Sequence, residues 1–453
     1  MESESTRMPA PHEVSPATLR RVIAASAIGN FVEWFDFAVY GFLATLIASQ
    51  FFASEDSSVA LLKTFAVFAV AFALRPLGGI VFGALGDRLG RKRILSLTIL
   101  LMAGSTTLIG LLPTYASIGL AAPVLLTLAR CLQGFSAGGE YAGACAYLME
   151  HAPNDKRAFY GSFVPVSTFS AFACAAVIAY SLEASLSSEA MAAWGWRIPF
   201  LIAAPLGLVG LYLRWRKGKK TPAFREAVAQ GKEHEHSPLK ETLRHHGRAI
   251  RNLGAFISLT ALSFYMFTTY FATYLQLVGN LTRAQSLLVT TVALLFAAIG
   301  CPLAGALSDR FGRRKTIGFT CLWVMLCVFP AYWLASSGSM PGALLGVILL
   351  AVGALCSGVV TAALLSESFP TRTRYTASAI TYNVAYTLFG GTAPLVATWL
   401  IGQTGSSLAP AFYLVVIALV ALLGGLALPE TSRISLHDEP NAEGVGQGVQ
   451  GSV

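Results

Sequence analysis

Charge is what this sequence has least of. Charged residues make up 12% of its 453 positions and hydrophobic residues 55%, where a soluble domain carries about 25% charged. Too few charges remain to coat a water-facing surface, which points to a bilayer. Period-2 alternation is also missing, and its absence excludes a transmembrane β-barrel. Twelve apolar runs are present instead, at 21–49, 60–85, 94–113, 118–148, 159–182, 198–213, 252–278, 286–307, 316–336, 341–365, 376–402 and 408–428. Roughly 20 residues cross a bilayer as helix, and lipid leaves backbone groups no partner outside their own segment. The expected fold is an all-α membrane protein with twelve transmembrane helices.

Other absences narrow the chemistry. The seven cysteines (Cys131, Cys145, Cys174, Cys301, Cys321, Cys327 and Cys356) are odd in number, form no CxxC and all fall in apolar runs. Free buried thiols are expected, with neither disulfides nor a metal site. No histidine lies inside a helix: His12, His151, His234, His236, His245, His246 and His437 fall in or beside the polar segments. The pairs His234/His236 and His245/His246 read as solvated loop residues rather than metal ligands. No nucleophile–base pairing, metal-ligand spacing, phosphate loop or soluble catalytic stretch occurs, so neither an enzyme nor a cofactor is expected. Residues 1–19 are polar with three prolines, and the first apolar run exceeds a signal h-region, so no cleavable signal is expected. The tail shows no heptad pattern.

What the chain does contain, it contains twice. Residues 83–93 read GALGDRLGRKR and residues 305–315 read GALSDRFGRRK. Gly83, Asp87, Arg88, Gly90 and Arg91 thus recur as Gly305, Asp309, Arg310, Gly312 and Arg313. A second pattern, Glu150-x-x-Pro153-x-x-x-Arg157, recurs as Glu367-x-x-Pro370-x-x-x-Arg374. The offsets are 222 and 217 residues, which implies two homologous halves. Such chains are characteristically secondary transporters with the substrate held between the halves. The expected organisation is a tail at 1–19, a six-helix bundle at 20–213, a polar linker at 214–251, a second six-helix bundle at 252–428 and a tail at 429–453.

Basic residues set the expected orientation. With both termini in the cytoplasm, 27 of the 32 lysines and arginines fall on that side, as the positive-inside rule requires. The net charge of +9 then needs no nucleic acid. The expected partners are a small-molecule substrate, protons and the lipid bilayer, with the chain functional as a monomer.

The few charges inside the apolar runs are the candidates for chemistry. Glu33 and Asp36 share a face of the first helix at i,i+3 spacing. Buried carboxylates tend to take up a proton, and no histidine competes for the role. They are candidates for proton coupling, with Glu140 and with Arg130, whose guanidinium is costly at its depth in the fourth helix. Fixed ion pairs with Arg75 or Arg130 are the plainer alternative. Arg75 reads equally as a cavity residue or as a side chain reaching for the interface. Gln133 shares a face with Arg130. Aromatics cluster in the first helix (Phe31, Trp34, Phe35, Phe37, Tyr40), the seventh (Phe264, Tyr265, Phe267, Tyr270, Phe271, Tyr274) and the eleventh (Tyr382, Tyr386, beside Asn383). Aromatic faces attract quaternary ammonium groups. Trp34, Tyr40, Arg75, Gln133, Tyr270, Tyr274, Tyr382 and Asn383 are therefore substrate-binding candidates, against packing as the plainer alternative for the rings. The duplicated loop and Glu150, Arg157, Glu367 and Arg374 read as a conformational gate, since charge-assisted bonds at helix ends can form in one state and release in another.

These strings carry a family resemblance. The loop GxLxDRxGRKR resembles the signature loop of the major facilitator superfamily, and 130–140 (RCLQGFSAGGE) resembles its fourth-helix motif. GNFVEWFDFAVYGF (29–42), LRPLGG (74–79), QGFSAGGEY (133–141) and WGWRIPF (194–200) together are similar to its metabolite:proton symporter branch. PLGLVGLYLRW (205–215), TPAF (221–224) and FPTRTRY (369–375) add a likeness to the proline/glycine-betaine type. The resemblance implies two pseudo-symmetric six-helix bundles, alternating access in a bacterial inner membrane, and proton-coupled import of a small polar metabolite. It also implies that the duplicated loop stabilises the outward-open state, with the first copy dominant. Helix five lacks the G-x-x-x-G-P-x-x-G-G run of the family's drug antiporters, which favours symport. The substrate alternatives are a zwitterion such as proline or glycine betaine and an organic acid such as α-ketoglutarate, citrate or shikimate. The missing C-terminal coiled coil argues against osmotic activation.

Overall fold

The computed structural model describes residues 16–52, 56–89, 91–138, 140–217, 246–370, 374–432 and 434. All regular structure among them is helical. Twelve spans result, several of them interrupted. Span 1 is Pro16–Phe42 continued by Ala44–Phe51, and span 2 is Ser57–Ala73 continued by Arg75–Leu89. Span 3 is Arg91–Leu111, span 4 is Ala121–Ser136 plus Glu140–Met149, and span 5 is Arg157–Gly161 plus Phe163–Ser185. Span 6 is Arg197–Lys217, entered through a π-helical turn at Met191–Gly195. Span 7 is Gly247–Tyr265 and Phe271–Leu277, joined by a π-helical turn at Met266–Tyr270. Spans 8, 9 and 10 are Arg283–Phe311, Arg313–Ala335 and Met340–Glu367. Span 11 is Arg374–Ala385 and Ala393–Thr404 around a π-helical turn at Tyr386–Gly391, and span 12 is Ala409–Leu426.

Nine of these helices are individually long and apolar enough to cross a membrane, and the bent pair leading into span 6 makes a tenth. The other two are span 3, whose apolar part is Ser96–Leu111, and span 4, which its interruption splits into two short pieces. The helices at either side of the expected linker run to Lys217 and from Gly247, inside the 214–251 bounds; residues 218–245 lie outside the described ones.

Within each half the spans pack as a bundle, with span 1 against spans 5 and 6, span 3 against spans 4 and 6, span 7 against span 12 and span 9 against spans 10 and 12. Span 5 packs along span 8, and span 2 packs on the π-helical turn of span 11. These two contacts are equivalent under exchange of the halves, as the sequence repeat requires.

Spans 2 and 4 touch through their backbones. A Cβ placed on Gly134 would collide with the carbonyl of Ala71, and one on Gly78 with the carbonyl of Phe135. Without a hydrophobic drive between helices in lipid, small residues that permit this approach supply the packing. Gly134→Ala should therefore lower the melting temperature of the purified protein, with about 1–3 kcal/mol lost to overpacking. Gly104 should tolerate alanine, since a Cβ added there would meet nothing within 4 Å. Equal melting temperatures for the two variants would refute the close approach.

Candidate functional site

The middle of the first half holds four buried charges. Glu33, Asp36, Arg75 and Arg130 are each at most 3% exposed. The turn at Leu74 starts the second part of span 2, placing Arg75 at its head. From there Arg75 Nη2 donates to Glu33 Oε1 at 2.9 Å and to the carbonyl of Ala137 at 3.2 Å. That carbonyl is free to accept because span 4 is interrupted after Ser136. The Arg75 guanidinium also lies 5.2 Å from the ring centres of Phe37 and Phe72 and 5.7 Å from that of Trp34.

Arg130 is held differently. Its Nη1 donates to Gln133 Oε1, and its guanidinium lies 4.1 Å from the centre of the Tyr40 ring. Gln133 Nε2 in turn donates to Thr106 Oγ1 at 2.8 Å and to the Asp36 carbonyl at 3.3 Å. Neither carboxylate oxygen of Asp36 accepts a hydrogen bond within ordinary geometry among the described residues. The Thr106 hydroxyl donates to the Met102 carbonyl at 3.0 Å. Of the two arginines, Arg75 forms the direct ion pair, and Arg130 rests on an aromatic face and an amide.

Beside this charge cluster lies an aromatic one drawn from both halves. Trp34 meets Phe264 at 5.3 Å, Tyr141 at 6.1 Å and both Tyr265 and Tyr386 at 6.3 Å, centre to centre. Tyr382 stacks between Tyr141 at 4.6 Å and Tyr386 at 4.0 Å. Asn383, the next residue along span 11, donates across the seam to the carbonyl of Gly138 at 2.7 Å.

Some expected site residues lie elsewhere. Tyr40 donates to the carbonyl of Thr64 at 2.9 Å and serves Arg130 rather than the Trp34 cluster. Tyr270 packs against Phe65 at 6.2 Å, and the Tyr274 hydroxyl donates to the carbonyl of Ser407 at 3.1 Å. Both sit toward the end away from the duplicated loops. There the halves also meet through Arg283–Glu183 at 3.2 Å. The side chain of Glu140 lies outside the described residues. Tyr141, Phe264, Tyr265 and Tyr386 were not singled out as site residues by the sequence. The i,i+4 spacing of Tyr382 and Tyr386 was the usable signal; Tyr265 ends the regular helix just before the π-helical turn of span 7.

At the end bearing the repeats, the second copy of the loop is a junction between halves. Asp309 accepts from the backbone amides of Ala158 and Phe159, at 2.9 and 2.8 Å. Gly305 lies where a Cβ would strike the backbone of those two residues. Gly312 has φ +92°, which suits it to the tight turn between spans 8 and 9. Arg313 is paired with Asp309 at 3.0 Å and Glu367 at 2.8 Å, and Arg157 from the first half approaches the same Glu367 at 3.5 Å. Glu150 and Arg374 form a looser cross-half pair at 3.5 Å. Arg310 lies over its neighbour Phe311. Of the first copy, Gly83 stands in the last part of span 2; Gly90 and the side chains of Asp87, Arg88 and Arg91 lie outside the described residues.

The segment after span 12 joins this junction. Glu430 accepts from the amides of Arg313 at 2.8 Å and Arg314 at 3.0 Å, capping span 9. Partial burial works to raise its carboxyl, but the amides of Arg313, Arg314 and Ser432 outweigh that and hold it below the usual carboxylate range. Thr431 donates to Glu367 at 2.7 Å, and Arg157 donates to the carbonyl of Ile434. Removing Glu367 leaves the buried Arg157 without its carboxylate partner and Arg313 with Asp309 alone, and breaking a buried pair costs about 3–5 kcal/mol. Glu150, 21% exposed, makes a longer contact at 3.5 Å, and Arg374 keeps its bond to the carbonyl of Phe369 at 3.3 Å, so removing Glu150 should cost less. Glu367→Ala should thus melt well below Glu150→Ala in purified protein, and indistinguishable melting would refute the junction's structural weight.

Comparison with known proteins agrees with this geometry. The chain is 38% identical over 428 residues to the glycine betaine/proline/ectoine/pipecolic acid transporter OusA of Dickeya dadantii, covering 93% of this chain and 85% of that one. It is 37% identical over 428 residues to the proline/betaine transporter of Salmonella typhimurium, with the same coverage. The fold matches the crystal structure of a D-xylose-proton symporter with a TM-score of 0.70 at 19% identity, over 93% of this chain and all of that one. The profile of the Major Facilitator Superfamily matches residues 26–394. With its two equivalent bundles, duplicated loop and enclosed central cluster, the chain is a multi-pass membrane transporter that belongs to the Major Facilitator Superfamily.

Proposed function

We propose that this protein imports a small zwitterion, proline or glycine betaine, together with protons, by alternating access. The bacterial cytoplasmic membrane, with both termini inside, is its place in this reading. The carrying observation is the Arg75–Glu33 pair, enclosed beside an aromatic cluster that both halves build. A zwitterion brings one carboxylate and one cationic nitrogen. A proton on Glu33 cancels the charge that holds Arg75 and frees its guanidinium for the substrate carboxylate. Loss of that proton to the other side returns Arg75 to Glu33 and displaces the substrate. Competition for one guanidinium then makes proton and substrate travel together. Asp36 beside Arg130 supports the same logic as a second pair of groups.

The rings of Trp34, Tyr265 and Tyr386 suit the nitrogen, since a desolvated cation over an aromatic face gains about 2 kcal/mol. Among the described residues the enclosed centre holds two cations, Arg75 and Arg130, already balanced by two carboxylates. A dicarboxylate would add two negative charges and offer the rings nothing. The substrates in the relatives' names support the zwitterion. Halves that touch at both ends in this structure, through Arg283–Glu183 at one and Arg157–Glu367 at the other, must part at one end to admit a substrate and at the other to release it.

Uptake into proteoliposomes under an inward proton gradient tests this. Labelled glycine betaine or proline should accumulate, and a protonophore should abolish accumulation. Glu33→Gln should lose proton-driven accumulation. Trp34→Phe should weaken glycine betaine by about 1–2 kcal/mol, roughly tenfold. Accumulation indifferent to the protonophore would sink the coupling. Uptake of α-ketoglutarate or citrate without competition from glycine betaine would sink the zwitterion.

A further inference from the structure

Asn30 lies one turn before Trp34 on span 1 and is buried. The Trp34 indole Nε1 donates to Asn30 Oδ1 at 3.0 Å. The Asn30 amide nitrogen faces Thr168 Oγ1 at 2.7 Å, Ser167 Oγ at 2.8 Å and the Val164 carbonyl at 3.2 Å, all on span 5. Proton bookkeeping orients the network. An indole N–H only donates, so the Asn30 atom it meets must be the oxygen. The amide nitrogen then offers two protons toward span 5. Ser167 and Thr168 each direct a hydroxyl toward the Val164 carbonyl, at 2.7 and 3.3 Å, and so accept with their lone pairs. The relay runs one way, from the indole through one amide and two hydroxyls to a backbone carbonyl.

The relay fixes a ring, not merely a helix contact. Trp34 is the residue that touches Arg75 on its own half and Phe264, Tyr265 and Tyr386 on the other. Among the described residues the indole N–H has one acceptor, Asn30 Oδ1, which ties the orientation of the ring to span 5. Span 5, the anchor, is also the span that packs on span 8 across the seam.

We propose that Asn30 is a positioning residue for substrate-nitrogen recognition, acting through the Trp34 indole, an inference that rests on the zwitterion reading above. The test is initial-rate uptake of labelled glycine betaine in proteoliposomes by the parent, Asn30→Leu, Trp34→Phe and the double variant. Asn30→Leu should raise KM about tenfold with kcat changed less than about twofold. The double variant should be no worse than Trp34→Phe alone, because both changes remove one interaction. Ser167→Ala combined with Thr168→Val, which loosens the relay from its far end, should raise KM in the same direction if Asn30→Leu fails to fold. An unchanged KM, or KM effects that multiply in the double variant, would overturn the proposal. Fluorescence separates it from the substrate reading. The Trp34 emission, obtained by subtracting the Trp34→Phe spectrum from the parent, should differ from the same difference taken in the Asn30→Leu background. If the parent imports neither glycine betaine nor proline, the substrate reading falls and this comparison decides the positioning role: a changed Trp34 spectrum upholds it, and identical spectra overturn it.

Discussion

A charge carried into the bilayer must be balanced inside the protein, and the arrangement of this chain follows from that one constraint. Water is not there to solvate a guanidinium, and unpaired ions in hydrocarbon are expensive. Arg75 answers with Glu33 at 2.9 Å, the opened carbonyl of Ala137 and three aromatic rings. Arg130 answers with Gln133 and the face of Tyr40. The interruption of span 4 belongs to the same solution. A continuous helix would consume the Ala137 carbonyl; the broken one leaves it for Arg75 and leaves Gly138 for Asn383 from the other half. Irregular backbone at membrane depth is tolerated where protein lines it.

The same constraint works differently at the end bearing the repeats. Glu367 stands between Arg157 of the first half and Arg313 of the second. One carboxylate facing two guanidinium groups binds the halves only while both are near. Asp309 adds the amides that begin span 5, so the duplicated loop is tied to a helix terminus as well as to a side chain. Helix N-termini present unpaired amides in a fixed direction, and a loop carboxylate can leave them without unfolding either helix. Bonds of this kind suit a seam that must open and reclose.

The aromatic cluster solves a third aspect of the problem. Rings fill the space between halves without adding charge or requiring partners for every edge, and they remain attractive to a cation. Because Trp34 and Tyr141 come from one half and Phe264, Tyr265, Tyr382 and Tyr386 from the other, separation of the halves dismantles the cluster. A cluster of this form is complete only when the seam is closed around it.

Sequence alone determined the helical fold, the number of spans and the division into halves, because lipid enforces apolar length and duplication leaves matching strings. It also singled out Glu33, Asp36, Arg75 and Arg130, since a charge in an apolar run is conspicuous wherever the run folds. It left the pairing open, and the tertiary structure decided it: Glu33 goes to Arg75, while Arg130 lies on Tyr40, a choice set by the turn at Leu74 and the break after Ser136. Spacing gathered Tyr40, Tyr270 and Tyr274 with Trp34 as candidates, yet the fold spreads them along the bundle, and π-helical turns in spans 7 and 11 lie next to Tyr265 and contain Tyr386. Asn30, though inside the 29–42 string, and Glu430 were not singled out by the sequence, because their partners on span 5 and at the start of span 9 lie more than a hundred positions away. Periodicity reports what a residue's own helix does with it; which groups from distant segments meet is fixed only when helices cross.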